Sequence, residues 1–228
     1  MKLLALDTST LVATVAAVDG KRLLAQRERR VTTHSEGLLA LIDEVLFAAT
    51  LRLVDVDAIA CGTGPGSFTG LRIGMATAKG LCFGRGIPLR AVSSLAALAL
   101  DGAAAAHGAL ILALLDAKKS ELYAGLYRPT ADLVTAVAAE VVLPPEQLFA
   151  YVARHANGER VVVVGDGAVA YRGHAEALGC LPTCRGTPSA ESVARLALAT
   201  SGHPVRDALA TAAPTYIRPS EAELKLRP

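Results

Sequence analysis

Hydrophobic and polar positions in the first thirty residues follow the two-residue period of β-strands. Residues 2–6 form a short apolar run, residues 12–18 alternate, and residues 23–30 return to an extended pattern. Asp19-Gly20, which separates the last two segments, is a strong two-residue turn signal. The pattern therefore predicts three consecutive antiparallel strands, with Asp7 at the end of the first.

A helical period follows the third strand. Thr33 and Glu36 have the spacing of a capping box, which predicts a helix start near His34. The apolar residues that recur along one side of this helix are Leu38, Leu41, Ile42, Val45 and Ala49.

This first helix carries more apolar surface than one sheet needs. Leu39 and Leu46 widen its stripe to about half the circumference, against roughly 100° for an ordinary surface helix, and Phe47 lies on the far side. One interpretation is a helix in a thick core. The other is a helix whose second face contacts a partner, with acidic Asp43 and Glu44 complementing basic Arg72 and Lys79.

A glycine-rich turn follows an apolar strand at residues 57–61. Gly62, Gly64 and Gly66 allow backbone conformations that side chains forbid, and Pro65 fixes one φ between them. Such a turn lets the backbone approach either a ligand or another segment closely. The standard phosphate-binding spacings are not met, because Ser67 stands where a dinucleotide fingerprint needs glycine and no lysine follows at the P-loop position.

The helix that follows this turn, to about position 86, carries small residues at a four-residue interval. Gly70, Gly74 and Ala78 lie on one face, and Arg72 and Lys79 lie on one narrow line. Small residues at this interval let another helix approach closely. We therefore predict that this helix is buried on more than one side, by its own sheet and by a partner.

The rest of the chain repeats the order of the first part. A strand at 88–92 and a helix capped by Ser93 or Ser94 complete the order βββαβαβα, and residues 101–108 are the predicted domain boundary. Further strands are predicted at 109–115, 121–128, 133–142 and 160–164, with helices at 144–155, after 167, and at 188–201, and an extended tail at 213–219. Two such halves, each with an acidic residue at its first strand end, indicate an internal duplication.

Composition excludes several classes of protein. The chain has 228 residues, of which 52% are hydrophobic and 19% charged, and its formal net charge of +2 gives no electrostatic case for binding nucleic acid. It has no apolar run long enough for a membrane helix and no signal-peptide pattern. The four cysteines predict reduced thiols in the cytoplasm, and Cys180 and Cys184 lack the second pair that a zinc site needs.

Candidate catalytic groups are sparse. No two of the five histidines lie within five residues, and Ser67 has no base that the sequence identifies. Strand-end carboxylates could hold magnesium and phosphates between two lobes, but hydroxyl residues stand where a glycine-rich phosphate hairpin is expected. The predicted members of this degraded nucleotide site are Asp7, Thr8, Ser9, Asp116, Gly165 and Gly167.

Several motifs together resemble the bacterial TsaB (YeaZ) family. They cover most of the first 120 residues in order, and the glycine-rich run is highly specific. The matching segments are residues 4–10 (LALDTST), 34–35 (HS), 62–74 (GTGPGSFTGLRIG), 78–80 (AKG), 92–95 (VSSL), 116–118 (DAK) and 214–218 (PTYIR).

The resemblance implies an α/β protein with the actin-like or Hsp70-like (ASKHA) fold. That fold has two RNase-H-like lobes, each a mixed sheet flanked by helices, and we assign them to residues 1–106 and 107–228, with the tail packing back on the first lobe. The family acts in installing threonylcarbamoyl on adenosine beside the tRNA anticodon. There TsaC makes threonylcarbamoyl-adenylate, TsaD transfers the group, and the ATPase TsaE joins them.

On this resemblance we expect a non-catalytic subunit that forms a heterodimer with TsaD, homodimerises when alone, and meets tRNA only through the complex. We expect a cytoplasmic protein with no membrane association and no cofactor of its own, while ATP or ADP with magnesium in the complex stays open. Alternatives are an ASKHA kinase or ATPase, and a glycoprotease-like peptidase. The inferred TsaD contacts are Leu39, Phe47, Gly70, Arg72, Gly74 and Ala78.

Overall fold

A computed structural model describes residues 1–30, 34–178, 186–199 and 208–218. Its first sheet contains strands β1 (Lys2–Asp7), β2 (Val12–Asp19), β3 (Arg22–Arg30), β4 (Ala58–Gly62) and β5 (Leu89–Val92). They lie in the order β3-β2-β1-β4-β5, with the first three antiparallel and β4 and β5 parallel to β1. The predicted meander with its turn at Asp19-Gly20 is confirmed.

Helices cover both faces of this sheet. Helices α1 (His34–Ala48) and α2 (Phe68–Arg85) pack on the face that presents Leu4 and Leu6, whereas α3 (Ser94–Ala106) and α7 (Ala190–Ala199) pack on the face that presents Leu3 and Ala5. Alternation along β1 divides its side chains between two cores. The helix predicted to begin near His34 is confirmed, while Thr33 of its predicted capping box lies outside the described residues.

The second sheet has the same core topology. It contains β6 (Leu110–Lys118), β7 (Glu121–Pro129), β8 (Val134–Ala136), β9 (Val141–Leu143) and β10 (Val161–Val164). The order is β10-β6-β7-β8, β9 also pairs with β7, and β10 is parallel to β6 as β4 is to β1. The two lobes expected for the ASKHA fold are therefore present.

The prediction of one strand over residues 133–142 is wrong, because two short strands occupy this stretch. Both pair with β7, and the link between them contains Glu140. The Glu140 carboxylate accepts hydrogen bonds from Ser93 Oγ and from Tyr127 Oη, the latter at 2.5 Å. The chain leaves the extended conformation here so that Glu140 can reach the start of α3.

Four shorter helices complete the described part of the chain. They are α4 (Leu148–His155), α5 (Asp166–Ala170), α6 (Arg172–Ala177) and α8 (Ala208–Thr211). The sequence did not predict α8, whose surroundings include apolar contacts of Leu209 with the core between α1, α2 and the first sheet. Cys180, Cys184 and His203 lie outside the described residues.

Helices α3 and α7 join the two halves. Helix α3 contacts β6, β7 and β10 of the second sheet as well as α7, and α7 packs on the first sheet although it follows the second in sequence. Asp101 of α3 links the two helices. Its carboxylate accepts hydrogen bonds from Ser189 N at 2.7 Å, Ser189 Oγ at 2.5 Å and Ser192 Oγ at 2.7 Å.

We predict that Asp101→Ala destabilises the fold. The substitution removes the acceptor for three donors at the start of α7, and leaving partly buried donors unsatisfied costs about 2–3 kcal/mol in total. Urea unfolding followed by circular dichroism measures the loss. Asp19→Ala is the control, because its carboxylate is half exposed and, among the described residues, bonds the N-terminal amine. Its loss should cost under about 1 kcal/mol. Equal losses would contradict the linking role.

Candidate functional site

The glycine-rich turn packs against its own chain. A Cβ atom at Gly62 would overlap with the carboxylate of Asp7, and one at Gly66 would overlap with the backbone of Ser9. Ser67 N donates to Ser9 O at 2.7 Å, which fixes the turn on the β1–β2 connection. Of the two interpretations of this turn, close approach to another segment accounts for the positions of Gly62 and Gly66.

Asp7 is fully buried where β1, the glycine turn and α3 meet. Its Oδ1 accepts hydrogen bonds from Ser9 N at 2.8 Å and Ser9 Oγ at 2.6 Å, and its Oδ2 accepts one from Ser94 Oγ at 2.5 Å. Ser94 Oγ accepts in turn from Gly64 N at 3.1 Å. Burial raises the pKa of Asp7 above its ordinary value, although the bonds from Ser9 and Ser94 oppose that shift.

The small residues Gly70, Gly74 and Ala78 face their own sheet, which corrects their predicted position on a partner surface. A Cβ atom at Gly70 or Gly74 would overlap with Thr8, and Ala78 is fully buried in the core between α1, α2 and the sheet. Thr8 Oγ1 donates to Gly70 O at 2.8 Å. The close approach that these residues permit is therefore between α2 and β1 of the same chain.

A second row of small residues lies on the opposite, exposed face of α2. Ala76, Gly80 and Gly84 follow the same four-residue interval, and a Cβ atom at Gly80 or Gly84 would meet no atom within 4 Å. Phe83 borders this row with 82% of its surface exposed. On the contacting helix α1, Phe47 is 89% exposed.

These two aromatic residues lie toward the same end of the strands of the first sheet. Helices α1 and α2 each connect a strand to a parallel one, so both run back antiparallel to the strands, and Phe47 and Phe83 are near their C-terminal ends. Leu39, at 54% exposure, extends the apolar surface along α1. We call Leu39, Phe47, Ala76, Gly80, Phe83 and Gly84 the outer α1–α2 face.

Two charged residues of these helices, Glu44 and Arg72, have partners within the chain. Arg29 forms an ion pair with Glu44 at 2.7 Å, and the guanidinium of Arg72 lies over the ring of Phe68, 5.2 Å from its centroid. Tyr216 packs on the other part of this cluster, with its ring centroid 5.0 Å from that of Phe68. Arg72 is therefore exposed but oriented by an aromatic neighbour at the start of α2.

A cleft of about 1000 Å³ lies between the two lobes. The β1–β2 connection and the start of α2 form one wall, and the β6–β7 hairpin with Asp166 forms the other. Asp116, on the second wall, accepts a hydrogen bond at 2.8 Å from the backbone N–H of Lys118 and a second at 2.6 Å from its ammonium. The latter bond raises the pKa of Lys118.

Gly165 and Gly167 of the predicted nucleotide site pack tightly behind this second wall. A Cβ atom at either glycine would overlap with Leu114 or with a side chain beside it. Asp166 between them lines the cleft, its Oδ1 accepts from Asp116 N at 2.9 Å, and burial raises its pKa. The structure thus brings Asp116 and Asp166 to the cleft, whereas Asp7 and the two glycines are internal.

The tail lines the cleft and bonds both lobes. The sequence did not predict that the tail contacts the second lobe. Thr215 N donates to Thr63 O at 2.7 Å on the first lobe, and Arg218 donates to Ala117 O at 3.1 Å on the second. Tyr216 and Arg218 both line the cleft. The tail matched a family motif, but its role in joining the lobes depends on contacts more than 100 residues apart.

Within the described ranges, no cluster of three or more histidine, cysteine, aspartate or glutamate residues is placed to hold a metal ion. Nor does any described helix have the length and apolarity to cross a membrane.

The buried carboxylate of Asp7 predicts a specific pH dependence. Because its pKa is raised in the folded chain, the folded state favours the protonated form, and the contribution of Asp7 to stability declines as pH rises above about 4. Urea titrations of the native chain and of Asp7→Asn give their free energies of unfolding at each pH. The native value minus the variant value should therefore fall between pH 4 and pH 7.

Asp132→Asn is the control for this pH dependence. The pKa of Asp132 is lowered, chiefly by its hydrogen bond from Lys21, so its contribution is present at neutral pH and is lost on acidification. The native value minus the Asp132→Asn value should change little between pH 4 and pH 7, and it should rise rather than fall. A difference for Asp7 that grows with pH would contradict the assignment.

The two rows of small residues on α2 predict opposite effects of alanine. Gly74→Ala should lower the free energy of unfolding by about 1–3 kcal/mol, because the new methyl group collides with Thr8. Gly80→Ala should raise it by about 0.5–1 kcal/mol, because alanine favours the helix and the space is open. Thermal and urea unfolding of both variants measures this, and destabilisation by Gly80→Ala would refute the exposed placement.

Comparison with known proteins places this architecture in a family. The model of the TsaD family, tRNA N6-adenosine threonylcarbamoyltransferase, matches residues 28–176. The tRNA threonylcarbamoyladenosine biosynthesis protein TsaB of Haemophilus influenzae is 40% identical over 123 residues, and that of Escherichia coli is 36% identical over 148. The matches cover 54% and 64% of this chain, and 52% and 64% of those relatives, less than two thirds of their length.

Solved structures extend the likeness to the whole chain. A Pseudomonas aeruginosa protein described as similar to peptidase YEAZ superposes with a TM-score of 0.81 and 32% identity, over 95% of this chain and 99% of that one. The Clostridium difficile activator of 2-hydroxyisocaproyl-CoA dehydratase shares the fold, with a TM-score of 0.54 and 10% identity over 100% and 99% of the two chains. The chain therefore belongs to the TsaB (YeaZ) family of tRNA threonylcarbamoyladenosine biosynthesis proteins.

Proposed function

We propose that this chain is the non-catalytic subunit that binds and supports TsaD while threonylcarbamoyl is installed on tRNA adenosine. The observation that carries the proposal is the pair of almost fully exposed aromatic residues, Phe47 and Phe83, on two contacting helices. Isolated exposed apolar residues are common, but an apolar surface shared by two helices marks an interaction site.

The shape of the outer α1–α2 face favours a helix as its partner element. The shallow row on α2 consists of Ala76, Gly80 and Gly84, and its largest side chain is a methyl group. A helix can therefore approach the α2 backbone closely. Phe83 stands beside this row, Phe47 projects from the contacting helix α1, and both would fill spaces between side chains of the partner helix. Aromatic anchors of this kind supply a large share of binding energy at protein interfaces.

The former candidates for catalysis have structural interactions that support a scaffold role. Both carboxylate oxygens of Asp7 accept hydrogen bonds from buried groups, and Ser67 Oγ accepts from Gly70 N at 3.2 Å as the N-cap of α2. A kinase, an ATPase or a peptidase would need such groups to face a substrate. In this proposal TsaE binds the assembled pair, tRNA is held through the complex, and the complex acts in the cytoplasm.

The outer α1–α2 face predicts the effect of charge substitutions on TsaD binding. Phe47→Glu combined with Phe83→Glu places two carboxylates in an apolar contact. Each substitution should weaken binding by about 30-fold and the pair by up to about 1000-fold, since each aromatic anchor contributes about 2 kcal/mol. Isothermal titration calorimetry with TsaD from the same organism measures the affinity. Gly80→Leu should also weaken it, because the added side chain blocks approach of a helix.

Phe149→Glu is the matched control for these substitutions. Phe149 is 66% exposed on α4 of the second lobe, far in the sequence from the outer α1–α2 face, and its replacement should leave the affinity within about twofold. Equal loss from Phe149→Glu, or unchanged binding by the Phe47 and Phe83 variant with its fold intact, would reject this interface.

A further inference from the structure

A second groove lies between α2 and the tail, next to the outer α1–α2 face. Its volume is about 520 Å³. Ala76 lines this groove and also belongs to the outer α1–α2 face, so the two surfaces are continuous. We call it the α2–tail groove. Besides Ala76, its lining residues are Phe68, Arg72, Met75, Lys79, Pro214 and Tyr216.

The α2–tail groove combines apolar surface with two cations. Met75 is only 4% exposed, whereas Phe68 and Tyr216 are each 46% exposed. Arg72 and Lys79 stand two helical turns apart on α2, about 10 Å along its axis. A ligand that fits this groove therefore needs both apolar surface and negative charge.

Neither cation has an acidic partner in the part of the chain that the structure describes. The third basic residue of α2, Arg85, donates to Val54 O at 3.0 Å. The guanidinium of Arg72 lies 5.2 Å from the ring centroid of Phe68, which is 5.0 Å from that of Tyr216. Contact with a ring orients the guanidinium and leaves its N–H donors available for a carboxylate. Because this side chain is held before binding, less conformational entropy is lost when a partner binds.

The two cations lie along the tail-facing flank of the outer α1–α2 face. In an α-helix each residue turns by about 100°, so Arg72 and Lys79 are about 40° and 60° around α2 from Ala76, on the same side of it. Gly80 and Gly84 lie on its other side. A helix that packs on this row of small residues therefore has one flank over the α2–tail groove, within reach of both cations.

The α1 side of the outer α1–α2 face carries the opposite charge. Asp43 is exposed and lies one helical turn from both Leu39 and Phe47, whereas the neighbouring Glu44 is paired with Arg29. An acidic residue of a partner helix is therefore attracted to the α2 flank and repelled from the α1 flank. The two flanks thus distinguish between the possible orientations of the partner.

The composition of the α2–tail groove favours a protein ligand over a nucleic acid. Two cations neutralise at most two phosphates, which supplies little of the electrostatic affinity on which RNA binding depends. Met75, Ala76 and Pro214 instead suit apolar side chains, and they adjoin an apolar helix surface. A carboxylate next to an apolar residue on one helix matches both parts of the groove.

We propose that the α2–tail groove binds an acidic side chain of TsaD, carried by the helix that packs on the outer α1–α2 face. Arg72 and Lys79 pair with the carboxylate, and an apolar neighbour on the same helix fills the space beside Met75 and Pro214. This inference rests on the proposed function, because it concerns the same partner. Ion pairs on one flank of an apolar contact select the orientation of the partner helix and speed its association.

Binding of TsaD to a chain with both Arg72→Gln and Lys79→Gln tests the proposal. Surface plasmon resonance at about 50 mM and about 300 mM salt measures affinity and association rate. The double variant should bind about tenfold more weakly at low salt, from about threefold for each ion pair, and its association rate should depend less on salt. Arg154→Gln is the matched control, because Arg154 is exposed on α4 of the second lobe and its loss should change neither quantity. Thermal unfolding checks that the variants keep the native fold.

Carbodiimide coupling identifies the partner residue directly. The reagent joins an amine and a carboxylate that are in contact through an amide bond, and takes up the released water. Mass spectrometry of the coupled complex should show the peptide that contains Lys79 joined to an acidic residue of TsaD, and Lys79→Gln should lack this product. Replacing that TsaD residue with lysine should weaken binding to the native chain and restore binding to Lys79→Glu.

Several results would overturn the proposal. They are unchanged TsaD affinity in the double variant, a TsaD complex in which Lys79 couples to no TsaD residue, coupling of Lys79 to Asp43 of a second copy alone, or loss of tRNA binding in the double variant while TsaD binding is intact.

Failure of this inference can be distinguished from failure of the proposed scaffold function. If the Phe47 and Phe83 variant loses TsaD while the Arg72 and Lys79 variant binds normally, the groove carries no acidic contact and the scaffold function stands. If the native chain does not bind TsaD at all, the scaffold function itself is rejected.

Discussion

The buried carboxylate of Asp7 is the interaction on which the first lobe depends. It sits where the end of β1, the glycine-rich turn and the start of α3 meet. Two of its hydrogen bonds come from Ser9 in the β1–β2 connection, and the third comes from Ser94 at the start of α3. Ser94 extends the connection by accepting from Gly64 N. Only glycine fits at position 62, because any side chain there would displace the carboxylate. The turn is therefore specific in sequence for reasons of packing within the chain.

The position of this turn also sets the rotation of α2 about its own axis. That rotation determines which face of α2 is exposed. The inner row of small residues allows α2 to lie close on β1, where Thr8 bonds the helix backbone. The outer row is left exposed, Phe83 projects beside it, and Phe47 projects from the contacting helix α1. A helix with small residues on two opposite faces can thus pack closely on its own sheet and offer a second close approach. The internal contact and the proposed external contact depend on the same four-residue interval.

Much of the fold could be predicted from the sequence, because local patterns determine it. The two-residue period and the Asp19-Gly20 turn predicted the meander, and repetition of strand-end aspartates indicated the second lobe. Local patterns do not predict which face of α2 packs on the sheet, since Gly70 and Gly80 both belong to rows with equal spacing. Contact with Thr8 distinguishes the two rows. The break in the strand near Glu140 likewise depends on partners distant in sequence.

The proposed role as a subunit depends most directly on the formation of a complex. Light scattering behind a size-exclusion column, on this chain alone and mixed with TsaD of its own organism, measures that association. We predict a one-to-one complex that displaces any homodimer, because both assemblies would use the outer α1–α2 face. Two separate species, even with ATP, TsaE and tRNA present, would contradict the scaffold function.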